Sequence, residues 1–118
     1  MALADHEAPA RAELGGIYRA AIAAVDPARL INRALDGAIA PAAGLPAQIA
    51  AARRVLVLAI GKAAAAMASA LDAHLGDRIA DGIAVITARE DAPALERFDV
   101  LRGEHPIPGV VGTGIFAA

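Results

Sequence analysis

Lys62 is the single lysine among eleven Lys and Arg residues. It follows Gly61 and the apolar run Val55–Ile60, and it opens an alanine-rich stretch. A cation at a strand-to-helix turn is a means of handling anions. In the first turn of a helix it faces the positive end of the dipole, at a cost of about 0.3–1 kcal/mol. One opposite charge at ~4 Å and an effective dielectric near 20 returns on the order of 4 kcal/mol, so a bound phosphate would reverse the sign. Gly61 would let the backbone approach such an anion. The plainer reading, a turn glycine followed by a solvated lysine, stands beside it.

Two further segments carry chemistry. Arg89, in Thr87-Ala88-Arg89-Glu90-Asp91, can supply a second cation, although the adjacent Glu90 and Asp91 equally suit a solvated loop. In Glu104-His105-Pro106-Ile107-Pro108 the prolines stiffen the chain and push the residues before them into extended geometry, which holds side chains in place. Glu104 and His105 then point to opposite sides and do not share one site. His105 suits a proton carrier or phosphate donor, or a histidine packed at a strand end. His74 sits late in a helix, where it complements the dipole and reads as structural, and His6 lies near the start of the chain.

Standard phosphate signatures are missing. The Walker A spacing fails at Leu56 and Ala63, and the dinucleotide pattern fails at Ala63 and Ala66. No His, Asp or Glu spacing resembles a metal cage, and no Ser/His/Asp nucleophile set is visible.

The elements that must position these residues follow from pattern. Arg11–Val25 places Leu14, Ile17, Tyr18, Ala21, Ile22 and Val25 at helical spacing, after a flexible stretch before Pro9. Asp26-Pro27 reads as an N-cap with proline at the first helical position, starting a helix through Leu35. A loop from Gly37 to Pro46 leads to one helical turn, Ala47–Ala52. Val55–Ile60 is continuously apolar, as expected of a central parallel strand covered on both faces. Lys62–Leu75 is a helix stopped by Gly76, with Ala63, Ala66, Met67 and Ala70 packing closely on the sheet. Gly82–Thr87 and Phe98–Leu101 are two more strands. The class is α/β, a Rossmann-like open parallel sheet with flanking helices. Ligands of such sheets bind beyond the carboxyl ends of the strands, where Gly61-Lys62, Arg89 and Glu104-His105 converge.

The chain has 118 residues, a net charge of −2 and no cysteine. Interspersed charge and three aromatics give no nucleic-acid footprint and no basic membrane face. No stretch is long enough to span a membrane, and Met1–Glu7 has neither a basic nor an apolar signal segment, so a cytoplasmic protein is expected. Thr113–Ala118 reads as the opening of another helix, and three strands leave edges and faces uncovered. The expectation is the N-terminal part of a longer protein, free to form a homo-oligomer.

Four segments together resemble the glycerate 2-kinases of the MOFRL type, sometimes labelled hydroxypyruvate reductases, in their DUF4147-like N-terminal domain. They are Tyr18–Pro27, Val57–Ala68 with its GKA…M turn, Gly82–Thr87, and Gly103–Pro108 with its HPxP loop. The resemblance implies two α/β domains with the active site in the cleft, of which residues 1–118 are the front of the first. It further implies ATP-dependent, magnesium-assisted phosphoryl transfer to the 2-hydroxyl of D-glycerate. On that reading Lys62 is the catalytic cation, with Gly61, His105 and Arg89 in substrate or nucleotide binding. Gly109 stands where the family usually has aspartate, and Ala88-Arg89-Glu90 replaces a segment that often holds Lys and Gly. A nicotinamide-dependent hydroxypyruvate reductase, which the missing glycines disfavour, and a non-catalytic module are the alternatives.

Overall fold

Three parallel strands and four helices make up the described residues of the computed structural model, which are 3–104, with side chains described from residue 8 onward. The helices are α1 (Leu3–Ala24), α2 (Pro27–Leu35), α3 (Leu45–Ala51) and α4 (Ala64–Leu75). The strands are β1 (Val55–Ile60), β2 (Ile79–Thr87) and β3 (Asp99–Gly103). Short 3-10 turns at Ala40–Ala42 and Gly76–Arg78 join them. The class is the expected α/β open parallel sheet with flanking helices.

The sheet order is β1-β2-β3, all parallel, with Leu58 opposite Ile83 and Val85 opposite Leu101. This corrects one expectation: β2, not β1, is the central strand. Among the described residues β1 lies at an edge, and its burial alternates. Val57 and Ala59 turn toward α4, while Leu56 and Leu58, each 65% exposed, and Ile60, 54% exposed, line an open face. The continuous apolar run carries the pattern of two-sided burial, yet only one side is covered among the described residues.

The covered side holds the core. Ala64, Ala65 and Ala68 of α4 pack on Ala59, Ala84 and Ile86, and Ile79 and Phe98 complete the cluster. Alanine on both partners brings helix and sheet close. The inward face of α4 also differs from expectation: Ala64, Ala65 and Ala68 face the sheet, whereas Ala66 and Met67 are exposed. Ala63 is half-buried, and Ala70 is buried outside that cluster. A run of alanines has almost no hydrophobic contrast, so the sequence could not set its phase.

The connection from β2 to β3 crosses the α4 side without a helix of its own. Asp72 of α4 anchors it, accepting the Glu96 amide at 3.2 Å and Arg97 Nη1 at 3.2 Å. Arg97 Nη2 also donates to Asp77 at 2.7 Å. Hydrogen bonds to Asp77 and Asp72 raise the Arg97 pKa, holding the guanidinium charged. Leu95 and Phe98 then reach the core.

α2 packs against α4 and buries Leu35. Its N-cap is the expected Asp26, whose side chain accepts the Arg29 amide at 2.8 Å. His74, in the last turn of α4, lies 3.8 Å from Asp36 at the end of α2, consistent with a structural role. Arg78 caps α3, donating to the carbonyls of Ile49 at 2.5 Å and Ala52 at 3.0 Å. α1 begins at Leu3 and passes through Pro9, so residues 3–8 are helical rather than irregular. A proline whose φ already suits a helix removes one backbone hydrogen bond there. The expected apolar stripe of α1 is present but unpacked: Leu14, Ile17, Tyr18 and Ile22 are all exposed. No helix among the described residues is long and apolar enough to cross a membrane.

Candidate functional site

The parallel sheet directs the carboxyl ends of all three strands to one edge, and Gly61, Lys62 and Arg89 collect there. β1 ends at Ile60, and Gly61 turns the chain with φ +111°, a backbone region where a side chain would be strained. The Gly61 amide donates to the Val85 carbonyl at 3.2 Å, and its own carbonyl accepts from Ala64 at 3.0 Å. These bonds fix the turn to both the sheet and α4. Lys62 is exposed within it.

The position of Lys62 needs one correction. The N-cap of α4 is Ala63, so Lys62 lies just before the helix rather than in its first turn. Ala63 has no side-chain acceptor to cap the first amides, and no side chain caps them in its place. With the Ala64 amide taken by Gly61, the donors left at this helix N-terminus among the described residues are the Ala65 and Ala66 amides.

Lys62 lines a cavity of about 440 Å³ together with Thr87, Ala88, Arg89, Glu90 and Glu104. A second hollow of about 230 Å³ continues from it along Gly61, Val85, Gly103 and Glu104. Lys62, Gly61 and Arg89 are thus brought to one edge from two separate segments. Neither Lys62 nor Arg89 forms an ion pair among the described residues. Both cations are available to a ligand. His105 lies outside the described residues, as does the proline loop after it.

Sequence reasoning missed how the Arg89 segment is held. Glu90 folds back, its carboxylate accepting the Thr87 hydroxyl at 3.3 Å and the Thr87 amide at 3.4 Å. The Glu90 amide donates to the Thr87 carbonyl at 3.1 Å, and the Ala88 amide to Gly103 of β3 at 2.9 Å. Arg102 Nη1 donates to the carbonyls of Ala88 at 3.1 Å and Glu90 at 2.6 Å. The Thr-x-x-Glu spacing was the readable signal for the first of these; Arg102, on another strand, left none.

Two cations beside a helix N-terminus suit the phosphates of a nucleotide or a phosphorylated acid. Magnesium is a different matter. Among the described residues no three His, Asp or Glu side chains gather into a metal cage. Of the two carboxylates on the larger cavity, Glu90 is already engaged by Thr87.

A family model described as "Domain of unknown function (DUF4147)" matches residues 13–115. The chain is also similar to the crystal structure of a glycerate kinase from Thermotoga maritima. That likeness has 24% identity and a TM-score of 0.48, covers 71% of this chain, and spans only 20% of the length of the other. No curated protein matches the chain in sequence.

Proposed function

Given that the chain belongs to the family described as a domain of unknown function, DUF4147, by a match over residues 13–115, we propose that its protein is a glycerate 2-kinase. It transfers a phosphoryl group from ATP to the 2-hydroxyl of D-glycerate. Residues 1–118 form the front part of the first of two α/β domains, and the rest of the site comes from beyond them. The observation that carries this reading is Lys62, at the strand-end edge without an ion-pair partner among the described residues and sharing a cavity with Arg89. The four-segment resemblance supplies the reaction.

The chemistry asks little of the protein beyond position and charge. Lys62 lies where its ammonium can offset negative charge on the transferring phosphoryl oxygens. Gly61 removes the Cβ that would keep a phosphate from the backbone, and Arg89 holds a neighbouring phosphate or the substrate carboxylate. His105 joins the binding residues on the strength of the HPxP loop. Magnesium takes most of its ligands from water and phosphate, so the described residues are assigned no coordination of it.

The test is formation of 2-phosphoglycerate by the intact protein and its Lys62→Ala variant. Loss of one charge-stabilising donor should lower kcat by about 10²- to 10³-fold. Unchanged activity in Lys62→Ala would remove the role assigned to that residue. Oxidation of NADH by hydroxypyruvate, with no requirement for ATP, would replace the kinase reading altogether.

A further inference from the structure

Arg102 does not line the cavity, and the chemistry above gives it no part. It lies on β3 opposite Ile86. From there Nη1 donates to two carbonyls, Ala88 at 3.1 Å and Glu90 at 2.6 Å. These carbonyls flank Arg89 in the chain. One nitrogen therefore fixes the backbone on both sides of the residue that supplies the second cation. The remaining bonds of the segment, Ala88 to Gly103 and the Glu90 amide and carboxylate to Thr87, close a turn at the strand ends, while the Ala88 and Glu90 carbonyls themselves are bonded only by Arg102 among the described residues.

We propose that Arg102 is a positioning residue, a clamp that holds Arg89 on the wall of the cavity shared with Lys62 so that both cations meet the phosphates of one nucleotide. The proposal rests on the reading of this cavity as a nucleotide site. A guanidinium suits such a clamp because it is always charged, planar, and presents the two hydrogens of Nη1 at a fixed divergence. An ammonium in its place keeps the charge but rotates freely. The clamp acts through geometry, so removing it should weaken ligand binding more than it slows the chemical step.

The test compares the intact protein with Arg102→Ala and Arg102→Lys. Hydrogen exchange at the Ala88 and Glu90 amides should accelerate about tenfold or more in Arg102→Ala, with the Ala84 and Ile86 amides of β2 unchanged. Equilibrium dialysis with ATP should show a Kd raised about five- to tenfold, and the KM for ATP should rise by a similar factor with a smaller change in kcat. Arg102→Lys should recover little of either. Full recovery by Arg102→Lys would reduce the effect to bulk charge and overturn the clamp, as would unchanged exchange at Ala88 and Glu90. Faster exchange with unaltered ATP affinity would overturn the positioning role. Failure of the unsubstituted protein to bind ATP would instead overturn the nucleotide reading and the assigned ligand with it, while the exchange data still decide whether Arg102 holds the loop.

Discussion

Gly82 shows how a single missing side chain sets the spacing between elements. A Cβ there would stand 2.6 Å from Cδ1 and 2.8 Å from Cε1 of Phe98, and 2.9 Å from the Arg97 carbonyl oxygen. The ring is in the core cluster and the carbonyl is backbone, so neither can yield cheaply. Gly82→Ala should destabilise the fold by about 1–3 kcal/mol through overpacking. Phe98→Ala should cost about 3–5 kcal/mol through the cavity it leaves. The double variant should cost less than the sum, because emptying the Phe98 site makes room for the new methyl. Urea unfolding of the four proteins checks this, and strict additivity would contradict the contact. The sequence placed Gly82 at the start of a strand and Phe98 at the start of another. It could not show that one needs the other, because their contact depends on the parallel register. Lys62 is the opposite case. An apolar run, a glycine and a cation are local signals, so its place at the strand-end edge was legible, and only the helix start was off, by two residues.

At the scale of elements, the β2–β3 connection is the unusual piece, a parallel crossover held down by side chains instead of a helix. Its anchor points differ in environment. The Asp72 side chain is 12% exposed and accepts both a backbone amide and Arg97, whereas the Asp77 side chain is 99% exposed and accepts Arg97 alone. Asp72→Ala should therefore lower stability by about 1–3 kcal/mol, the scale of a lost charge-assisted bond to the Glu96 amide. Asp77→Ala should have little effect, as exposed pairs do. Thermal unfolding of the two variants ranks them, and an equal loss would show that the anchor is not Asp72. None of this was legible beforehand, since an acid in a helix and an arginine in a loop look like ordinary solvated residues. The strands and helices themselves were legible because apolar runs, glycine stops and the Asp26-Pro27 start act locally. The central position of β2 was not, because strand order is a long-range property that a strand's own composition records only through how many faces are apolar.

For the whole molecule, the open face of the sheet and the free stripe of α1 dominate its shape. The radius of gyration is 19.2 Å, against the roughly 13 Å usual for a compact domain of about 100 residues. Leu56, Leu58, Ile60, Ile83 and Leu101 share exposure on strands whose other side is packed, and a hollow of about 230 Å³ forms along Leu56, Leu58 and Ile83. Parallel sheets ordinarily have both faces covered, so this face is written for burial that the described residues do not provide. Leu58→Lys separates the two settings. In the isolated 118-residue chain, where Leu58 is mostly exposed, it should change unfolding stability by no more than about 0.5 kcal/mol. It should also reduce both dye binding by the apolar face and self-association. In an intact protein that covers the face, the same lysine would be an unpaired buried charge, and stability should fall by about 3 kcal/mol or more. Denaturant unfolding in both settings reads the difference directly. A small, equal cost in each would mean that the face stays open to solvent in the whole protein.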